Sequence, residues 1–282
     1  MTARAPRRIA AGPAMRAALS KDEAAHKFDH GHALVLSGGS GRTGAARLAA
    51  RGALRIGAGL VTLGVPGSAQ MEVATQVTAI MLRRCDDAAA LSGLLEDPRL
   101  NALCLGPGLG LDRARDLVPA ALADPARSVV LDADALSGFA DAPEVLFDAL
   151  HGKCVLTPHG GEFARLFGAP GDDRLAAVRR AAARSGAVVL LKGAETVIAA
   201  PDGTAAISAA TGEAAAPWLA TAGAGDVLAG IITGLLARGI APLEAAGYGA
   251  WLHAEAARQV GPGLIAEDLP EVLPRVLKRL GC

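Results

Sequence analysis

Apolar runs rich in Val, Leu and Ile alternate along this chain with segments whose apolar positions recur at helical spacing. Residues 33–36, 45–56 and 60–65 read as strand, helix and strand. The same rhythm predicts strands at 77–82, 102–105, 129–131, 155–157 and 188–191, most of them separated by helices. Strands joined through helices predict a parallel sheet covered on both faces. The rhythm then changes. Short strands at 197–200 and 205–208 flank the turn Pro201-Asp202-Gly203, which predicts an antiparallel edge, and long helices follow at 226–237 and 243–260. No Pro/Ser-rich linker, charge block or internal repeat divides the chain, so it reads as one α/β domain, 26–282, after an N-terminal extension, 1–25.

Composition narrows the chemistry. Hydrophobic residues make up 51 % of the 282 but aromatics only 3 %, so the interior must be built from Ala, Leu, Val and Ile, as in helices packed on a parallel sheet. Basic and acidic residues balance at 28 each, leaving no global field to attract nucleic acid or anionic lipid. The partners expected are small molecules or further copies of the chain. Cys85, Cys104, Cys154 and Cys282 are scattered without a C-x-x-C pair, which suits reduced thiols and a cytoplasmic location. His26, His30 and His32 cluster without cysteines or a metal-binding helix beside them, so they are assigned to a loop and no protein metal site is predicted. The longest apolar segment, 227–237, falls short of the ~20 residues that cross a bilayer. Residues 1–20 are basic and lack acids; their composition resembles a transit peptide, and they read as a flexible start followed by a short helix.

In such sheets, ligands gather beyond the carboxyl ends of the strands, and unusual motifs fall there. The run 227–237 is apolar nearly all round, as in a core helix, and Gly223-Ala224-Gly225-Asp226 opens it. Free N–H groups and the positive end of the helix dipole would stabilise a phosphate on this turn, with the Asp226 carboxylate beside it as a base. Taken alone, the turn reads equally as a capped helix with a first-turn acid. Ser37-Gly38-Gly39-Ser40-Gly41-Arg42-Thr43-Gly44-Ala45 follows a strand but lacks the lysine of a Walker A loop; it is either a tight turn or a close backbone floor for a ligand. Gly106-Pro107-Gly108 allows the same two readings. Asp132 and Asp134 end another buried strand, where one of them is expected to cap the next helix and neither is assigned to catalysis.

Two further strand ends carry polar groups. Thr157-Pro158-His159-Gly160-Gly161-Glu162 presents His159 at a strand tip, either as a ligand contact or as a structural histidine; Glu162 is explained by its place in a helix's first turn. In Lys192-Gly193-Ala194-Glu195-Thr196, the lysine can reach a phosphate, the glycine lets the chain turn around a nucleotide, and Thr196 offers a hydroxyl. Each motif alone is weak, but their succession is not expected by chance.

These residues together resemble the ADP- or ATP-dependent NAD(P)H-hydrate dehydratases of the ribokinase-like superfamily. The resemblance runs from about His26 to the C terminus. It is carried by His26-Lys27, Gly44-Ala45-Ala46, Gly106-Pro107-Gly108, Leu156-Thr157-Pro158-His159, Lys192-Gly193-x-x-Thr196 and Gly223-x-Gly225-Asp226. It implies a three-layer α/β/α fold with a mostly parallel central sheet and an antiparallel edge. It also implies the nicotinamide hydrate near Ala45, Gly108, His159 and Asp226, the adenine nucleotide near Lys192, Gly193, Ala194, Glu195, Thr196 and Gly225, and an anion hole at Gly223, Ala224 and Gly225. ADP, or ATP, with Mg²⁺ is the implied cosubstrate, and a homo-oligomer, a tetramer, the implied assembly. Three departures stand out: Gly160 where the family has proline, Phe28 where it has glycine, and Ala216-Pro217-Trp218 where it has Asn-Pro-Gly. The family's epimerase partner domain is not expected in the short stretch before His26. Two other readings are a small sugar or alcohol kinase, sharing the anion hole and base, and a catalytically silent nucleotide-binding protein.

Overall fold

Alternation of side chains along each strand decides which layer each residue joins. Leu34 and Leu36 pack into one apolar cluster while Ala33 and Val35 pack into another, and the same split recurs at Leu103/Cys104 and Val189/Leu190. Both faces of the sheet are therefore buried, and helices cover both. The computed structural model describes residues 5–282.

The chain begins with β1 (Arg7–Arg8), α1 (Pro13–Leu19), β2 (His32–Leu36), α2 (Gly44–Arg55) and β3 (Leu60–Val65). It continues through α3 (Gln70–Ala74), β4 (Met81–Arg84), α4 (Ala88–Leu94), β5 (Leu100–Leu105), α5 (Leu111–Leu122) and β6 (Ser128–Leu131). Next come α6 (Asp134–Ser137), α7 (Pro143–Phe147), β7 (Cys154–Leu156), α8 (Gly160–Phe167), α9 (Arg174–Ser185) and β8 (Val188–Leu191). The antiparallel strands β9 (Glu195–Ala199) and β10 (Ala205–Ala209) precede α10 (Ala224–Ala237), α11 (Pro242–Val260) and α12 (Asp268–Leu280). The sheet runs in the order β1-β10-β9-β8-β7-β6-β5-β2-β3-β4, parallel from β8 to β4. This is the three-layer arrangement with an antiparallel edge that the sequence pattern predicts.

Helix α10 is buried along nearly its whole length because it lies between the sheet, α2 and α11. Glycines set its distance from α2. A Cβ at Gly230 would stand 2.0 Å from the Ala49 carbonyl oxygen, and one at Gly234 would stand 2.4 Å from Ile56 Cγ2.

Three expectations are corrected. The strand predicted at 77–82 lies at Met81–Arg84, because register with β3 pairs Thr62 with Met81 and leaves residues 77–80 in the connection. The extension is not loose up to its helix: Arg7 and Arg8 pair in parallel with β10, Arg238 donates to the Leu19 carbonyl, and Ile9, Met15 and Leu19 are buried. The part of the flexible start that falls on residues 1–4 lies outside the described residues. Third, His32 opens β2 rather than a loop, and its Nε2 meets Thr62 Oγ1 at 2.7 Å. Helix α12, which the pattern reading does not contain, carries Pro274 in its interior, a residue that normally argues against a helix. Among the described residues, no helix is long and apolar enough to cross a membrane.

Candidate active site

Gly223 adopts a left-handed conformation, φ 87°, and so turns the chain into α10. A side chain there would strike Leu48 and Ala266, both 2.8 Å from an added Cβ. No side chain caps the helix. The Val227 N–H bonds the Gly223 carbonyl and the Ala224 N–H reaches Thr221 at 3.4 Å, which leaves the N–H groups of Gly225 and Asp226 for a ligand. Gly223, Ala224 and Gly225, the predicted anion hole, thus form an uncapped helix start.

Beside this start lies a pair of charges. Lys192, at the end of β8, donates from Nζ to Asp132 Oδ1 at 2.7 Å, and an added Cβ on Gly225 would stand 3.3 Å from the same Nζ. Burial pulls the Lys192 ammonium down, but the charge and hydrogen bond of Asp132 outweigh it and raise its pKa. Asp226 is pushed up to about 6, chiefly by burial and then by the nearby Asp132 charge, with Lys192 opposing. A carboxylate tuned to that range is a competent general base near neutrality.

The expectation for Asp132 and Asp134 is therefore corrected. Neither side chain caps the following helix, whose N-cap is Ala133. Asp132 binds Lys192, whereas Asp134 accepts the Gly110 N–H at 2.8 Å and so fixes the Gly106-Pro107-Gly108 loop. Between them, Ala133 has φ 44°, a strained value for a residue with a Cβ, and this turn sends the two carboxylates to different partners.

A cavity of about 630 Å³ opens next to the helix start. Lys192, Gly193, Ala194, Thr196 and Gly225 line it, whereas Glu195 of the predicted nucleotide stretch does not. Thr196 Oγ1 donates to the Gly193 carbonyl at 2.9 Å and so closes the Lys-Gly turn. His253 on α11 also lines the cavity, and burial pushes its ring down to about 4, which keeps it neutral. Sequence reasoning missed it, since a lone histidine on an alanine-rich helix reads as core. Trp218 does not line the cavity although Pro217 and Leu219 do; its ring is 47 % exposed, so its bulk stays out of the space.

The substrate-side residues arrive from three other strand ends. Gly38 and Gly108 pack backbone to backbone, with the Ala45 methyl against them: a Cβ on Gly38 would stand 2.0 Å from the Gly108 carbonyl oxygen, and one on Gly108 would stand 3.2 Å from Ala45 Cβ. Glu72 ties down the glycine-rich loop by accepting from Ser40, Gly41 and Thr43. His159 caps α8. Its Nδ1 accepts from the Gly161 and Glu162 N–H groups while Glu162 accepts the His159 N–H, which puts the ring hydrogen on Nε2, 3.5 Å from Glu162 Oε1 at the edge of a half-exposed ring. Gly160 occupies the first helical position, where a proline is equally at home, so that departure leaves α8 intact.

Comparison with known proteins gives the family. The family model described as NAD(P)H-hydrate dehydratase matches residues 33–275. The chain belongs to the NAD(P)H-hydrate dehydratase family. A bifunctional NAD(P)H-hydrate repair enzyme from Moorella thermoacetica is 44 % identical over 97 % of the chain and 54 % of that protein. One from Mycobacterium tuberculosis is 41 % identical over 78 % of the chain and 44 % of that protein. The chain thus spans about half the length of these relatives. The Bacillus subtilis ADP/ATP-dependent NAD(P)H-hydrate dehydratase, co-crystallised with ATP/Mg²⁺, superposes with TM-score 0.77 at 30 % identity, covering 94 % of this chain and 96 % of that one. A ribokinase-like superfamily protein from Enterococcus faecalis shares the fold, with TM-score 0.82, 23 % identity and coverage of 97 % and 96 %. These dehydratase likenesses do not favour the sugar or alcohol kinase alternative.

Proposed function

We propose that this chain dehydrates NAD(P)H hydrate back to NAD(P)H, using ADP as phosphoryl donor, with ATP as the alternative donor. The observation that carries the reading is Asp226 at an uncapped helix start, its pKa pushed up to about 6, next to Gly225, which lines a cavity together with Lys192. Hydroxide leaves a ring carbon poorly, and phosphorylation supplies a better leaving group. Asp226 takes the proton of the ring hydroxyl as its oxygen bonds to the terminal phosphorus, and the bond from that phosphorus to the AMP oxygen breaks. The free N–H groups of Gly225 and Asp226 and the Lys192 ammonium face the charge that spreads over the phosphoryl oxygens. The ring nitrogen's lone pair then expels phosphate, and loss of the neighbouring ring proton restores the double bond. The products are NAD(P)H, AMP and phosphate.

Lys192, Gly193, Ala194, Glu195, Thr196 and Gly225 are assigned to the nucleotide, and all but Glu195 line the cavity, which supports that assignment. Ala45, Gly108, His159 and Asp226 are assigned to the hydrate, with His159 Nε2–H as a donor to its polar groups. Among the described residues, no cluster of three metal-ligating side chains occurs. Asp132 is already bound to Lys192, and a Mg²⁺ that rides on nucleotide phosphates needs few protein ligands, so it would be held chiefly by those phosphates. Such an ion offsets phosphate charge. The machinery falls within 26–282, with 1–25 as an N-terminal extension, in a cytoplasmic homo-oligomer, a tetramer, without nucleic-acid or membrane partners.

The test mixes the protein with NADH hydrate, Mg²⁺ and either nucleotide, and follows dihydronicotinamide absorbance together with phosphate release. Stoichiometric AMP and phosphate from ADP are expected. Inertness with both nucleotides would sink the proposal.

A further inference from the structure

A second cavity, of about 770 Å³, follows the face of α2 that carries Arg47, Arg51 and Arg55 and is walled opposite by residues 76–80 and by Glu267. At 1.5 Å per residue, its floor from Gly44 to Arg55 is roughly 17 Å long, which suits an extended nucleotide. Leu48 links it to the catalytic turn: it lines this cavity and is, with Ala266, one of the two side chains that a Cβ on Gly223 would strike. Its near end, Gly44, immediately precedes Ala45, which packs against Gly108.

The charges in this groove are not balanced. Arg51 and Arg55 are both bound to Glu271. The Arg47 side chain has no ion pair or hydrogen bond among the described residues, and its Nε is buried without a partner. The acid that acts on it through space, Glu72, is already taken up by Ser40, Gly41 and Thr43. Glu267, across the groove, is not paired with it. A guanidinium held in a groove without a counter-charge is a ready partner for a phosphate group.

We infer that this groove binds the adenosine half of the dinucleotide substrate, with Arg47 donating to one of its phosphates. The inference rests on the function proposed above and adds a recognition site to it. The catalytic turn then stands between two nucleotides: the phosphoryl donor in the cavity lined by Lys192, and the substrate's adenosine half in the groove lined by Arg47.

The probes are NADPH and NADH, titrated by their fluorescence into the wild type and into Arg47→Met, which keeps the aliphatic stem. Thermal melting checks that each variant folds, and Arg47→Lys restores the charge. Loss of one charge-assisted hydrogen bond predicts binding weakened about tenfold in Arg47→Met and partly recovered in Arg47→Lys. Weakening confined to NADPH places Arg47 on the 2′-phosphate, and equal weakening of both places it on the pyrophosphate; either upholds the site. Unchanged binding in a folded Arg47→Met, or no binding by the wild type, overturns it. Because the titration needs no turnover, a protein that binds NADPH through Arg47 yet dehydrates nothing would retain the groove and lose the proposed activity.

Discussion

Asp132 touches the central chemistry without being its base. Its carboxylate is almost wholly buried, it holds Lys192 at 2.7 Å, and its charge helps to push Asp226 up to about 6. Asp132→Asn removes a negative neighbour of Asp226 and leaves Lys192 free to attract it, so both changes lower the pKa of the base. The acid limb of kcat/KM, near pH 6 in the wild type, is expected to move to lower pH in this variant, while kcat falls because Lys192 loses its position. A pH profile with the limb unmoved would remove Asp132 from the electrostatics of the site. This residue was illegible in the sequence, where it looked like a helix cap. Its partner lies 60 positions away, and only the sheet order, which sets the carboxyl ends of β6 and β8 on either side of β7, reveals the pair. Lys192 and Asp226 were legible because one directly follows an apolar strand and the other opens an apolar helix, each next to a glycine, a local signal. His253 offered no such signal.

At the scale of elements, the site depends on how closely α10 lies against α2. Ala49 approaches Gly230 so nearly that a methyl group has no room, its position falling 2.0 Å from a main-chain oxygen. Gly230→Ala is expected to force the helices apart and destabilise the fold by about 1–3 kcal/mol or more, because backbone cannot yield as a side chain does. Chemical denaturation should show the loss, and the displaced helix start should lower turnover further than the residual folded fraction explains. A variant as stable as the wild type would mean that the helices are not held at this spacing. The all-apolar run of α10 announced a buried helix, and the strand-helix rhythm announced the parallel sheet, since both are patterns of burial. Elements outside that rule were misread: β4 pairs only with β3 at the sheet's edge, β1 is too short to show alternation, and Pro274 disguises α12.

The whole molecule carries its active site at a cost to stability. The ordinary carboxyl value of 3.8 describes Asp226 in the unfolded chain, and the folded value is about 6. The folded state therefore binds the proton more tightly, and stability is lost as pH rises from about 4 through 6. Above that window, the ionised carboxylate destabilises the fold by an amount of order 1 kcal/mol, with an upper bound near 3 kcal/mol for two pKa units. Asp226→Asn keeps the shape without the charge, so at pH 8 it is expected to melt at or above the wild-type temperature. The most direct test of the account measures NADH-hydrate turnover by this folded variant with ADP and Mg²⁺. Removal of the general base predicts a rate lowered by ~10² to 10⁴. A folded Asp226→Asn protein that keeps most of the wild-type rate would contradict the assignment of Asp226 as the group that accepts the hydroxyl proton.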